Sequence, residues 1–200
     1  MTTASLTMPR HQPLPRVPPV ASTRIAMIAL IASELMLFAG LIGMYIVIRQ
    51  AQVVWPPADQ PRLPLLVTTL NSIGLFASVI PLTIALRAIR AGDSPRAARA
   101  LTLTAGLGIV FLTVQGAEWV RLVHHGLTLA SSVWGGAFYV LIGCHAAHVL
   151  TAVVWLAITT TLARRGRFTP QAYAGLEMCA TYWYFVAALW LLLFPLVYLY

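Results

Sequence analysis

The sequence has 200 residues, of which 60% are hydrophobic and only 9% are charged, and its mean hydropathy is +0.82. No soluble domain can bury that much apolar surface, so the composition excludes the soluble classes and indicates a polytopic membrane protein. The formal net charge is +8, but the arginines that carry it lie between apolar runs, which is typical of topology determinants and not of nucleic-acid binding.

Residues 1–22 are polar and contain five prolines. They lack the charged start and the apolar centre of a signal peptide. We therefore expect a flexible Pro-rich tail, followed by a single membrane domain over residues 23–200.

Five apolar segments follow the tail, and each is long enough to cross a bilayer as a helix, which takes about 20 residues. They lie near residues 24–48, 63–90, 97–122, 133–163 and 172–199. The connections between them are short, and the sequence shows no internal repeat. The pattern predicts an all-α fold, a bundle of five uninterrupted transmembrane helices.

The arginines distinguish the two sides of this bundle. Ten lie in the tail or next to the second and fourth connections: Arg10, Arg16, Arg24, Arg87, Arg90, Arg96, Arg99, Arg164, Arg165 and Arg167. Three belong to the other side: Arg49, Arg62 and Arg121. Because cytoplasmic loops are enriched in basic residues, we expect the N-terminus, and with it the tail, in the cytoplasm and Tyr200 outside.

Three acids and two histidines lie within the apolar segments. A charged side chain near the bilayer centre costs about 2.5–3.5 kcal/mol, so each should face protein, lipid headgroups or a wet cavity. His145 and His148 share one helix face because they are three residues apart, and Glu34 lies at a similar depth. We expect Glu34 to pair with one of them. Glu118 should lie near the outer edge, and Glu177 near the cytoplasmic edge with arginines and lipid phosphate or water.

Three interpretations of this polar group stay open. It is a structural lock between helices, a proton-handling pair of carboxylate and imidazole, or the iron or zinc site of a membrane metalloenzyme. The paired Glu-x-x-His elements of di-iron bundles do not occur, and nothing else marks a haem pocket. Because Ser/His/Asp arrangements, phosphate loops and Cys-x-x-Cys are also missing, we expect no catalytic residue and no metal site in this chain.

Small residues within the segments let neighbouring helices approach closely. The glycines predicted to serve helix packing, within this chain or onto a partner, are Gly40, Gly43, Gly135, Gly136 and Gly143. The aromatic residues of the last segment, Trp183, Phe185, Trp190 and Phe194, are interpreted as ordinary helix surface.

Five groups of residues carry a family resemblance. In chain order they are SELMLFAG at 33–40, WPP at 55–57, LNS at 70–72 with AS at 77–78, QGAEW at 115–119, and VWGGAF at 133–138 with GCHAAHV at 143–149. Together they resemble the motifs of subunit III of the haem–copper oxidases of the cytochrome c oxidase type, in the same order. The resemblance extends from about residue 25 to the end of the chain, in a shorter form that lacks the first two of seven helices.

The resemblance implies a non-catalytic subunit in a bacterial cytoplasmic membrane. Redox chemistry in that family belongs to partners, with haems and one copper in subunit I and a copper pair in subunit II. Subunit III itself carries no redox cofactor, holds phospholipids in a cleft, supports proton uptake and prolongs the working life of the catalytic subunit.

The last segment departs from the family pattern. Where that family reads Tyr-Trp-His-Phe-Val-Asp-x-x-Trp, this chain has Tyr184 and Ala187 in place of the His and the Asp. The departure leaves an accessory subunit of a nitric oxide reductase or a quinol oxidase as alternatives. A small proton-coupled transporter is an alternative of another class, and it should show repeated halves or broken helices.

Overall fold

Six α-helices make up the five spans. The computed structural model describes residues 19–55, 57 and 61–199. Residues 1–18 of the predicted tail therefore lie outside the described residues. The helices are α1 Pro19–Gln50, α2 Leu65–Ala77, α3 Val79–Arg90, α4 Ser94–His124, α5 Val133–Arg164 and α6 Ala174–Phe194, and Pro195–Leu199 form a π-helical turn. Within the described residues, and with α2 and α3 counted as one span, five helices are long and apolar enough to cross a membrane. This confirms the predicted all-α fold.

The second span is not continuous, so the expectation of five uninterrupted helices is wrong at Ser78. Pro81 causes the break, since it has no amide N–H to donate to the carbonyl of Ala77 one turn earlier. The Ser78 hydroxyl donates to the carbonyl of Leu75, and Ser78 itself is fully buried. The break is therefore a packed feature of the bundle interior.

Helix α1 lies at the edge of the bundle. It packs against α5 and α6, whereas α4 contacts α2, α3 and α5. Only 11% of the most apolar stretch of α1 is buried, against 39–50% for the other spans. Leu35, Met36 and Leu37 are among its exposed side chains. One broad apolar face of α1 is thus left for lipid or for another protein.

Two sets of contacts show which helix ends lie together on one side of the bundle. Glu177 at the start of α6 lies 3.3 Å from Arg24 of α1 and 3.8 Å from Arg90 of α3. At the same end, Arg164 of α5 donates to Thr102 of α4 at 3.0 Å. The spans therefore alternate in direction, and we call this side the arginine-rich end. Because Arg24 and Arg90 are more than half exposed, these ion pairs contribute little to stability.

Two tryptophans of α6 are anchored to the broken span. The indole N–H of Trp183 donates to Ser78 at 2.9 Å, and that of Trp190 donates to Ser72 at 2.8 Å. Both rings are fully buried, so their interpretation as ordinary helix surface is wrong. The serine hydroxyls allow this burial, because a buried indole N–H needs an acceptor.

Replacing Ser72 by alanine is expected to lower the free energy of unfolding by about 1–3 kcal/mol, because Trp190 then keeps a buried N–H without an acceptor. Ser33→Ala is the matched control, since the Ser33 hydroxyl donates only to the carbonyl of Leu30 on an exposed face. Unfolding in mixed micelles with increasing SDS measures both variants. Equal losses from the two substitutions would contradict the anchoring role.

Candidate functional site

A carboxyl group and an imidazole meet between α1 and α5. Glu34 Oε2 lies 2.7 Å from His148 Nε2, and each residue is about midway along its span. The side chains are 18% and 16% exposed respectively. The ring of Phe38 covers the imidazole edge-on, with ring centroids 5.0 Å apart. The pair therefore lies inside the apolar layer but close to the surface of the bundle.

The other ring nitrogen fixes the number of protons in the pair. His148 Nδ1 lies 2.7 Å from the carbonyl oxygen of Cys144, and since a carbonyl can only accept, Nδ1 carries a hydrogen. The 2.7 Å contact to Glu34 then needs one more hydrogen, on Nε2 or on the carboxyl. The pair is either imidazolium with carboxylate or imidazole with carboxylic acid, and a shift between these forms leaves its net charge unchanged.

His145 takes no part in this pair. It is 1% exposed, and its ring stacks on Trp190 with centroids 5.0 Å apart and planes inclined by 18°. Neither of its ring nitrogens has a hydrogen-bond partner among the described residues. The two histidines share a helix face, but the carboxyl group of Glu34 reaches only the second of them.

The remaining predicted acids lie at opposite ends of the bundle. Glu118 is paired with Arg121 at 2.7 Å, its side chain 8% exposed and that of Arg121 70% exposed. Glu177 belongs to the cluster at the arginine-rich end described above. The structure does not bring these two acids together with Glu34, so they form no common site with it.

The described residues contain no group of three or more His, Cys, Asp or Glu side chains that could hold a metal ion. Among the described residues, the pair of Glu34 and His148 is the arrangement that we consider for proton transfer. It can take up and release a proton. The thiol of Cys144 lies 3.9 Å from His148 Nδ1, but the hydrogen on that nitrogen is donated to the Cys144 carbonyl, so the imidazole cannot act there as a base for the thiol.

The two positions that depart from the family motif serve packing. Tyr184 Oη lies 2.9 Å from Thr83 Oγ1 of α3, and because the Thr83 hydroxyl already donates to the carbonyl of Val79, Tyr184 is the donor. Ala187 is buried at 3% exposure, one helical turn before Trp190. Position 187 therefore offers no carboxyl group to the ring of His145, which stacks on Trp190.

The predicted packing glycines have different surroundings. A Cβ atom at Gly135 would lie 2.5 Å from the carbonyl oxygen of Thr128, and one at Gly136 would lie 3.2 Å from that of Leu129. These two glycines therefore fit the loop before α5 and not a second helix. A Cβ at Gly143 would lie 4.0 Å from Trp119, and one at Gly40 or Gly43 would meet nothing within 4 Å.

The glycine that the sequence analysis missed is Gly108 in α4. A Cβ atom there would lie 2.5 Å from Cη2 of Trp183 and 2.9 Å from Cγ2 of Val153. Gly108 is thus a point where α5 and α6 pack closely against α4. The sequence has a second glycine at position 106, and it does not indicate which of the two glycines faces the core.

Comparison with known proteins decides the family. A family model described as Cytochrome c oxidase subunit III matches residues 17–200. The chain belongs to the cytochrome c oxidase subunit III family. It is therefore a multi-pass membrane protein and part of an oxidase complex.

Curated members of the subunit III family are similar along most of this chain. The cytochrome c oxidase subunit 3 of Synechocystis sp. is 34% identical over 170 residues, which cover 84% of this chain and 72% of that protein. A probable cytochrome c oxidase subunit 3 of Nocardia farcinica is 36% identical over 172 residues, 84% of this chain and 83% of its own length. The subunit 3 of Oncorhynchus mykiss is 34% identical over 188 residues, 90% and 71% respectively.

Proposed function

We propose that this chain is the non-catalytic subunit III of a respiratory terminal oxidase, packed beside subunit I with its haems and copper and subunit II with its copper pair. The observation that carries the proposal is the subunit III family match over residues 17–200. The site geometry supports the proposal, because the pair of Glu34 and His148 offers a group for proton exchange within the apolar layer.

The pair of Glu34 and His148 supports proton uptake by the catalytic subunit. It holds one exchangeable proton within the apolar layer, between α1 and α5. The partly exposed carboxyl lies on the helix with the least buried surface. A partner that packs against α1 therefore comes within reach of a group that can give up its proton and take up another. The pair is neutral before and after such an exchange and carries one negative charge in between.

Phospholipid occupies the groove between α1 and the start of α5. This groove has a volume of about 590 Å³, and Met44, Ile48, Gly136, Ala137 and Val140 are among the residues that line it. Its lining is mostly apolar, as an acyl chain requires. Gly136 widens it, since a side chain there would fill part of the space.

The arginines support an orientation for the chain, and the bacterial relatives support a compartment. The arginine-rich end faces the cytoplasm and the other end lies outside, because basic residues stay on the cytoplasmic side. Bacterial relatives at 34–36% identity support a bacterial cytoplasmic membrane as the location.

Purification of the tagged chain from its own membranes in mild detergent tests this function. We expect two larger chains to co-purify, together with haem absorption, copper and oxygen consumption driven by reduced cytochrome c. Purification of the chain without haem-bearing partners would contradict the proposal. Nitric oxide reduction without oxygen reduction, or oxidation of quinol alone, would move the chain to one of the two accessory subunits named above.

A further inference from the structure

A charged pocket opens between the start of α2 and the end of α4, at the end of the bundle opposite the arginine-rich end. It has a volume of about 210 Å³. We call it the α2–α4 pocket. Among the described residues, its charged lining consists of Arg62, Glu118 and Arg121, and His125 lines it as well. Two guanidinium groups and one carboxylate give this lining an excess of one positive charge.

The carboxylate of the α2–α4 pocket is already paired. Glu118 Oε1 accepts a hydrogen bond from Arg121 Nη1 at 2.7 Å, and the Glu118 side chain is only 8% exposed. The side chain of Arg121 is 70% exposed and has no other partner among the described residues. Glu118 therefore holds one edge of this guanidinium, and the remaining N–H groups of Arg121 can donate to a ligand.

Arg62 and His125 add two further groups to the pocket. Arg62 is exposed and forms no ion pair with a described acid. His125 Nδ1 lies 2.7 Å from the carbonyl oxygen of Arg121, and because a carbonyl only accepts, this nitrogen carries a hydrogen. Nε2 of the neutral ring is then left as an acceptor. The pocket thus offers N–H donors for an anion and one acceptor for a hydroxyl.

The surface of α2 next to the pocket is apolar. Pro64 lines the pocket and directly precedes α2. Further along the helix, Leu66, Leu70 and Ile73 are exposed at 74%, 61% and 58%. Their spacing of four and three residues places them on one face of the helix. A soluble anion would use the pocket alone, whereas a phospholipid would use both the pocket and this apolar face.

We propose that the α2–α4 pocket binds the phosphodiester of an anionic phospholipid, whose acyl chains lie along the exposed face of α2. The single negative charge of a phosphodiester matches the excess positive charge of the pocket. Guanidinium groups suit phosphate because their N–H groups form a fixed planar fork. A headgroup ammonium would meet no unpaired carboxylate among the lining residues, which favours an anionic lipid over a zwitterionic one. The site is separate from the groove between α1 and α5, and it does not depend on the proposed role in an oxidase.

A photoreactive lipid tests the site. The protein, with the subunits that co-purify with it, is placed in phosphatidylcholine vesicles that contain a small fraction of phosphatidylglycerol with a diazirine in one acyl chain. We expect light to label α2, Leu65–Ala77, and unlabelled phosphatidylglycerol to compete better than added phosphatidylcholine with a short-chain tail. Equal competition by the two lipids would overturn the proposal. So would the absence of label on α2, for example because an acidic segment of another subunit fills the pocket.

Arg62→Gln distinguishes the pocket from the overall charge of the protein. The substitution removes a guanidinium without breaking an ion pair to any described residue. Arg167→Gln is the matched control, because it removes the same charge from an exposed residue at the arginine-rich end. We expect Arg62→Gln to lower the yield of label on α2 about fivefold, the usual contribution of one basic residue to the attraction of anionic lipid. Arg167→Gln should leave the yield unchanged, and equal losses from both would overturn the pocket.

A charge-neutral double variant tests the contact with Arg121. Glu118→Gln combined with Arg121→Gln replaces the ion pair and leaves the net charge of the lining the same. If attraction depended on net charge alone, the label on α2 would not change. We expect it to fall, because the phosphate loses the N–H donors of Arg121. An unchanged yield would overturn the assignment of the phosphate to this guanidinium.

Discussion

Replacing His148 by leucine is expected to lower the free energy of unfolding by about 3 kcal/mol. The substitution removes the 2.7 Å partner of Glu34 and leaves a carboxyl group alone in the apolar layer. Breaking a buried pair by removing one partner typically costs about 3–5 kcal/mol, and we take the lower end because the two side chains are 16–18% exposed. SDS titration of the purified protein in mixed micelles measures the loss.

His145→Leu is the matched control, on the same helix and three residues away. Its ring nitrogens have no partner among the described residues, so leucine removes two unsatisfied polar atoms and loses the ring contacts with Trp190 and Phe38. We expect a change within about 1 kcal/mol, in either direction. Similar losses for both histidines would show that burial of the ring matters and the pair with Glu34 does not.

The variant that combines Glu34→Leu and His148→Leu completes a double-mutant cycle. Because well-packed apolar residues can replace a buried ion pair without loss, we expect this protein to be more stable than His148→Leu alone. The coupling between the two sites should be about 1–3 kcal/mol. Strictly additive effects would rule the pairing out.

Glu34→Gln separates the structural role of the pair from proton exchange. A glutamine amide can donate to His148 Nε2 and keep the two helices joined, but it cannot release its hydrogen as a proton. We expect nearly unchanged stability and slower proton uptake by the complex during turnover. Unchanged uptake would leave the pair with a structural role alone.

The number of spans and their helical structure could be predicted from the sequence. The length of an apolar run is a local property, and it can be compared directly with the thickness of the bilayer. The break at Ser78 could not, although Pro81 was visible. Whether a proline in a span bends, breaks or is absorbed by the helix depends on what packs beside it, and here that is Trp183, 105 residues along the chain.

The candidate site shows the same limit. Helical spacing places His145 and His148 on one face, and it therefore leaves the partner of Glu34 undecided. The choice depends on where α1 crosses α5, which is set by the packing of Phe38 against both imidazoles.

Gly108→Ala is expected to destabilise the protein by about 1–3 kcal/mol, the usual cost of an extra carbon in a well-packed core. The new Cβ would lie 2.5 Å from Trp183 and 2.9 Å from Val153. The indole cannot swing away freely, because its N–H is held by Ser78 at 2.9 Å. Relief would require α4 to move away from α6 or the tryptophan to give up its hydrogen bond.

Gly106→Ala provides the control, two residues away on the same helix. A Cβ atom there meets nothing within 4 Å, so alanine adds only its better helix propensity, which is worth up to about 1 kcal/mol. The two substitutions should therefore change stability in opposite directions or, at the least, differ by more than 1 kcal/mol. Equal effects would show that the close approach at Gly108 is not a packing constraint.

A second substitution should relieve the crowding that Gly108→Ala creates. Trp183→Phe removes Cη2, the atom nearest to the added methyl group, and leaves Ser78 with its own bond to Leu75. Each single variant should be less stable than the parent protein, and the double variant should be more stable than the sum of the two losses predicts. The sign of this coupling distinguishes crowding against Trp183 from a change within α4 alone, because a defect confined to α4 would persist whatever residue stands at position 183.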